Sequence, residues 1–232
     1  AVPTLDTVRM SYVIQILALE MNNILCVGAT GTGKSVVVNQ QLGKDMPDRF
    51  LPKFMAFSAS TSANMTQDQI DVVMDKRRKG IFGPPLGKKM LIIVDDLNMP
   101  AKEEYGAQPP IELLRQFCCD SGWYDIHDKT FRSIVDTQLI CAMGPPGGGR
   151  SEITPRFMRH FSTLCVTQFH DDTLLTIFKS IMQWHMKANK FEDSISRLGE
   201  PVVSATLDTY RTAMRELRPT PTKSHYTFNL RD

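Results

Sequence analysis

Gly28-Ala29-Thr30-Gly31-Thr32-Gly33-Lys34-Ser35 is an uninterrupted GxxxxGK[ST] run, set between an apolar strand-like stretch at 23–27 and a helix-forming stretch at 34–42. Glycines at this spacing let the backbone wrap phosphate oxygens with several N–H groups pointing inward, and the following helix adds the positive end of its dipole. In that context Lys34 is placed to reach β- and γ-phosphates, and the Ser35 hydroxyl to hold Mg2+. The bland alternative is a glycine-rich turn, but motif and flanking elements agree. The run predicts binding of a nucleoside di- or triphosphate, ATP or ADP, at Gly28, Ala29, Thr30, Gly31, Thr32, Gly33, Lys34 and Ser35.

A second acidic feature supports the first. The apolar run Met90-Leu91-Ile92-Ile93-Val94 ends in Asp95-Asp96, the expected form of a strand delivering a carboxylate to a phosphate-bound metal. Asp95 is the candidate Mg2+ holder, acting through water. Asp96 is the candidate catalytic base. Many hydrolysing P-loop ATPases carry Glu there, and Asp is one methylene shorter, which leaves a water further from its acceptor and predicts slow hydrolysis. The structural alternative is that the pair merely starts a turn. A GTPase would need Asn-Lys-x-Asp, and the nearest run is Asn189-Lys190-Phe191-Glu192 in a helical region with the wrong acid; a transporter's Leu-Ser-Gly-Gly-Gln is absent. A small-molecule kinase predicts no separate helical lid. Ring-forming ATPases remain.

These residues need a scaffold. Strand-like runs at 23–27, 54–58, 90–94, 137–143 and 163–167 alternate with helical or turn-bearing sequence, the pattern of a parallel α/β sheet. Two runs are apolar almost throughout, as in strands covered on both faces. After Phe169 the pattern becomes helical. His170-Asp171-Asp172 reads as a cap before Leu174, Leu175, Phe178, Ile181, Met182 and His185, and a second helix is expected after Pro201, ending before Pro219. The expected architecture is a three-layer αβα core with a five-stranded parallel sheet over residues 1–169 and a truncated helical lid over 170–232, with nucleotide between them. Residues 80–89, 99–110 and 144–149 read as loops, and 122–134 as a β-hairpin.

Composition narrows the class. The chain has 232 residues, 42% of them hydrophobic, and a net charge of +2, with 27 Lys+Arg against 25 Asp+Glu. That balance gives little support for nucleic-acid binding, and no apolar run is long enough to predict a membrane span. Five cysteines without metal-ligand spacing read as reduced thiols, three of them as small hydrophobes in strands. Neither a signal peptide nor an initiator Met is evident, and the reading expected is an excised piece of a longer polypeptide. Lys79-Gly80-Ile81-Phe82-Gly83 reads first as a turn with an anchored Phe, because Gly83-Pro84-Pro85 has stiff loop chemistry, and an aromatic pore loop is the minor reading. His127, His160, His170, His185 and His225 lack ligand spacing.

Taken in order, Val2-Pro3-Thr4-Leu5-Asp6-Thr7-Val8-Arg9, the phosphate loop, Asp95-Asp96-Leu97-Asn98-Met99-Pro100, residues 105–115, Gly144-Pro145-Pro146-Gly147-Gly148-Gly149-Arg150 and residues 225–232 resemble a dynein heavy chain, specifically the third AAA+ module of an axonemal motor ring. The resemblance covers essentially the whole chain. It implies that Val2, Pro3 and Thr4 pack on adenine and that Arg231 reaches the γ-phosphate in cis. It also implies that Arg156 or Arg159 enters the neighbouring module's site as a finger, although His160 occupies the usual position. Where a polar γ-phosphate sensor is common, this sequence has Met143. The implied function is an ATP-binding module that hydrolyses slowly and regulates a microtubule motor. Alternatives are a non-hydrolysing allosteric module and a polypeptide-threading unfoldase. Implied partners are adjacent modules of the same coiled-coil-bearing heavy chain, microtubules indirectly, and dynein intermediate and light chains. The implied location is the cytoplasmic cytoskeleton and the axoneme of a cilium or flagellum.

Overall fold

A computed structural model of the chain describes residues 2–147, 149–223, 226 and 228–230. The elements, in order, are α1 (Leu5–Leu19), β1 (Ile24–Gly28), α2 (Lys34–Lys44), β2 (Phe50–Ala56), α3 (Ala63–Asp71), β3 (Asp75–Arg78), β4 (Ile81–Gly83), β5 (Lys89–Asp95), α4 (Pro109–Asp120), β6 (Gly122–Tyr124), β7 (Phe131–Ile134), β8 (Thr137–Met143), α5 (Pro155–Met158), β9 (Ser162–Val166), α6 (Asp171–Ala188), α7 (Asp193–Ser196) and α8 (Gly199–Glu216). They form two compact units: Met10–Ala29 with Gly33–Thr167, and Ala1–Arg9 with Thr30–Thr32 and Gln168–Asp232.

The larger unit is built on a five-stranded sheet in the order β2-β5-β8-β1-β9, every pairing parallel. Side chains alternate across it. Leu25, Ile92, Leu139 and Cys141 enter one core with Ile70 of α3, Ile111 and Leu114 of α4 and Phe157 of α5. Their neighbours Ile24, Cys26, Leu91, Ile93, Ile140 and Ala142 enter a second core with Ile14 and Ala18 of α1 and Val37 and Leu42 of α2. Adjacent residues of one strand thus feed opposite cores, so the central strands are covered on both faces and residues 24–27, 90–94 and 139–143 read as unbroken apolar runs. The expected αβα α/β fold with a five-stranded parallel sheet and C-terminal helices is the one observed.

Several boundaries differ from the sequence reading. β2 runs over Phe50–Ala56 rather than 54–58 and includes Pro52. Proline is tolerated because β2 is an edge strand with one neighbour, β5. Helix α1 and strand β3 lie outside the elements that the sequence pattern predicts. α1 has no single apolar stripe: Val8, Tyr12 and Ile16 are exposed while Ile14 and Ala18 are fully buried. Residues 80–89 are not wholly loop, because β4 lies within them. The expected hairpin is β6–β7, with Trp123 opposite Arg132, and it joins β4 in a second sheet ordered β3-β4-β7-β6.

In the smaller unit, Leu174 of α6 and Val203 and Leu207 of α8 form a core with Phe169, Phe178, Met182 and Leu230. The ion pairs Lys179–Glu200 at 2.5 Å and Arg211–Asp171 at 3.0 Å flank it. Pro201 falls in the first turn of α8, where its missing N–H costs nothing. Among the described residues, no helix is long and apolar enough to cross a membrane.

Candidate functional site

β1 ends at Gly28, where the chain passes very close to β9: a Cβ there would lie 2.3 Å from the Val166 carbonyl oxygen. Only glycine fits. Gly31 and Gly33 take left-handed backbone (φ 84° and 74°), and Gly33 is the N-cap from which α2 starts at Lys34. Lys34 is 9% exposed, and its Nζ donates to the carbonyls of Gly28 and Ala29 at 2.6 Å each. Burial holds this ammonium below its ordinary pKa; Asp95 and Asp96 oppose that effect and Arg150 reinforces it. A partly desolvated cation at a helix N-terminus favours an anionic partner that restores its lost hydration.

The carboxylates arrive from β5, between β2 and β8 in the sheet. The Asp96 N–H donates to Asp95 Oδ1 at 3.0 Å, and Asp96 adopts left-handed backbone, φ 51°. This turn aims the Asp96 carboxylate at Arg150, whose Nη2 stands 3.5 Å from Oδ1. Ser35, in the first turn of α2, and Asp95 offer a hydroxyl and a carboxylate. These hard oxygen donors suit Mg2+, which takes few protein ligands and completes its shell with water and phosphate oxygens. Lys34, Asp95, Asp96 and Arg150 are therefore one electrostatic group.

Arg150 ends the Gly-Pro run that carries the resemblance and is a site residue that the sequence alone does not point to. Its signal lay in its position after β8, beside the strand that ends in Asp95. Met143, the last residue of β8, is 6% exposed and belongs to the core that contains Leu25 and Ile92.

The other candidates lie as follows. The Thr4 N–H donates to Thr7 Oγ1 at 2.8 Å and the Thr7 N–H to Thr4 Oγ1 at 3.3 Å, so Thr4 caps α1 reciprocally. Val2 and Pro3 precede this cap. Thr30, Gly31 and Thr32 belong with the smaller unit, where Gly31 approaches the Leu230 backbone. Arg231 and His225 lie outside the described residues. Arg156 and Arg159 form their own cluster beside α4. Arg156 Nη2 lies 3.2 Å from Glu112 Oε1, Arg115 holds the other Glu112 oxygen at 2.7 Å, and Arg159 Nε donates to His160 Nε2 at 3.4 Å. Burial alone would raise the Glu112 carboxyl, but the hydrogen bonds and charges of Arg115 and Arg156 outweigh it and hold it below its ordinary value.

Phe82, the aromatic of the pore-loop reading, sits in β4 opposite Lys76, with the Arg132 guanidinium 4.9 Å above its ring. That is the anchored arrangement. All five cysteines are free thiols.

The sequence matches the family described as P-loop containing dynein motor region over residues 1–169. It is 50% identical over 232 residues to dynein axonemal heavy chain 12 of Rattus norvegicus, 50% over 242 residues to dynein axonemal heavy chain 1 of Mus musculus, and 51% over 231 residues to dynein axonemal heavy chain 3 of Homo sapiens. Each match covers 100% of this chain and 8%, 6% and 6% of the respective relative, so the chain spans a small part of their length. With a phosphate loop on a five-stranded parallel sheet and this similarity along its whole length, the chain belongs to the P-loop dynein motor region family, as an AAA module of axonemal heavy-chain type.

Proposed function

We propose that the module binds ATP or ADP with Mg2+ at the loop from Gly28 to Ser35 and hydrolyses ATP slowly, as a regulatory site, third in the ring, of an axonemal heavy chain. The observation that carries this reading is the buried Lys34 ammonium at the start of α2, flanked by Asp95 and Asp96. Lys34 would hold the β- and γ-phosphates, Ser35 and Asp95 the metal, and Asp96 would orient water. Magnesium, when bound, supplies charge neutralisation on the phosphates. Val2, Pro3 and Thr4 would pack on adenine and Arg231 would reach the γ-phosphate in cis, as the resemblance implies. Arg156 or Arg159 would serve a neighbouring module, since an arginine supplied across a boundary stabilises phosphoryl charge. The exposure of the Arg156 side chain, 65%, favours it over a core role.

The relatives' axonemal names support a place in the cilium or flagellum. Adjacent modules of the same heavy chain are the direct partners of this reading, and intermediate chains, light chains and microtubules are reached through the parent chain. A second reading, nucleotide held without useful turnover, is favoured by Met143 buried where a polar sensor is common and by Asp96 engaged with Arg150. Titration of a fluorescent ATP analogue into the heavy chain carrying Lys34→Ala tests the site. Loss of this module's nucleotide is expected, and unchanged affinity overturns the assignment.

A further inference from the structure

Arg150 is held in an unusual way. Among the described residues its Nε is buried without a hydrogen-bond partner, while Nη2 stands 3.5 Å from Asp96 Oδ1. A guanidinium offers a rigid fork of donors suited to two oxygens of one anion, and the Asp96 carboxylate engages one arm at long range. The side chain packs closely against Gly144, where a Cβ would come within 2.7 Å of Nε. Its loop is fastened to the Asp96 loop: Asn98 Nδ2 donates to the Gly144 carbonyl at 2.9 Å, and the Ser151 N–H donates to the Asn98 carbonyl at 3.0 Å. Arg150 is thus presented on a braced platform, close enough to Lys34 for the two cations to repel.

We propose that Arg150 reads the terminal phosphate: its guanidinium exchanges the Asp96 carboxylate for the γ-phosphate of ATP, and so frees Asp96 for water only when a triphosphate is present. The proposal rests on the nucleotide-site reading above and goes beyond it. The half-exposed Asp96 contact is weak, as expected of a solvated pair. A phosphate offers more charge and the two acceptors that the fork requires, so the exchange runs toward the phosphate. ADP lacks that group and leaves the Asp96–Arg150 pair in place. Because Met143 is apolar, Arg150 takes over the sensing that the end of β8 does not supply.

The test is equilibrium binding of ATP and ADP to the full heavy chain, with this module's contribution defined by subtraction of the Lys34→Ala variant. Arg150→Ala should weaken ATP roughly ten- to a hundredfold, the loss of a charged hydrogen-bonding pair, and leave ADP unchanged. Retained ADP affinity also shows that the site is folded. Arg150→Lys, which keeps charge without the fork, should fall between. Asp96→Asn should tighten ATP when Arg150 is present and not in the Arg150→Ala background, the signature of competition for one guanidinium. Equal loss of both nucleotides, or an unchanged ATP-to-ADP ratio, overturns the role of Arg150 and leaves the nucleotide site standing. Nucleotide binding indifferent to Lys34→Ala overturns both.

Discussion

The side-chain amide of Asn98 donates to the carbonyl of Gly144 at 2.9 Å, and Asn98 is completely buried. This bond, with the Ser151 N–H bonded to the Asn98 carbonyl at 3.0 Å, joins the loop after β5 to the loop after β8. Asn98→Ala removes the donor and leaves the Gly144 carbonyl without it, which should cost about 1–3 kcal/mol. Asn98→Asp keeps the shape but not the N–H donors and should not rescue the loss. Calorimetric unfolding checks both. A change within experimental scatter for either variant contradicts the brace.

Asp96 separates charge from backbone. Its φ of 51° suits Asp and Asn, the residues most tolerant of left-handed backbone, so Asp96→Asn removes the carboxylate with little added strain. If Asp96 orients the attacking water, single-turnover hydrolysis by this module in the intact heavy chain should fall on the order of 10²-fold. Asp96→Glu should raise the rate, because the added methylene brings the carboxylate closer to the water. An Asp96→Asn rate equal to the parent's would favour the non-hydrolysing reading.

Arg132 ties the second sheet to α3. Its Nη1 donates to Asp71 Oδ2 at 3.1 Å, its other arm pairs with Asp125, and Trp123 Nε1 donates to Asp71 Oδ1 at 3.1 Å. Arg132→Ala strips the cation from two carboxylates and should cost about 3 kcal/mol. Burial already raises the Asp71 carboxyl, and Trp123, Arg132 and Gln67 partly offset it. Without Arg132 the pKa rises further. A raised carboxyl favours the folded state below its unfolded pKa and loses that benefit as pH climbs through the folded value. The deficit of Arg132→Ala should therefore shrink as pH is lowered, and denaturant midpoints across the acid range measure it. A pH-independent deficit contradicts the electrostatic account.

Thiol chemistry should divide the cysteines. Burial pushes Cys26 and Cys118 up to about 12 and Cys141 well above its ordinary value. Thiolate is the reactive form, so Cys26 and Cys141, both buried, are protected twice, by access and by protonation, while half-buried Cys118 is protected chiefly by protonation. Cys119 and Cys165 are exposed. Alkylation at mildly alkaline pH, mapped by mass spectrometry, should label these two first and reach Cys26 and Cys141 only on unfolding. Early labelling of Cys26 would contradict the packing of β1.

What could be read without a structure was local. The phosphate loop is contiguous, and its glycines, lysine and serine state their chemistry in eight successive residues. The central strands were legible because burial on both faces removes polar residues, as in residues 90–94 and 139–143. The 122–134 hairpin was legible from aromatic and β-branched residues either side of an Asp-containing turn.

The rest depended on which strands lie side by side. Asp96 and Arg150 are distant in sequence and meet because β5 and β8 are neighbours, so the loops at their ends emerge together. Nothing in a glycine-proline loop ending in arginine says which carboxylate it will face. Thr4, read for adenine, also caps α1, a helix without a one-sided apolar stripe. Pro52 interrupts the appearance of a strand, yet the edge position of β2 makes it harmless. Contiguous residues thus determined that the chain carries a phosphate site, since motif chemistry is a matter of spacing along the backbone. The tertiary structure decided which charges surround that site, because strand order and loop bracing bring distant residues into Coulombic reach.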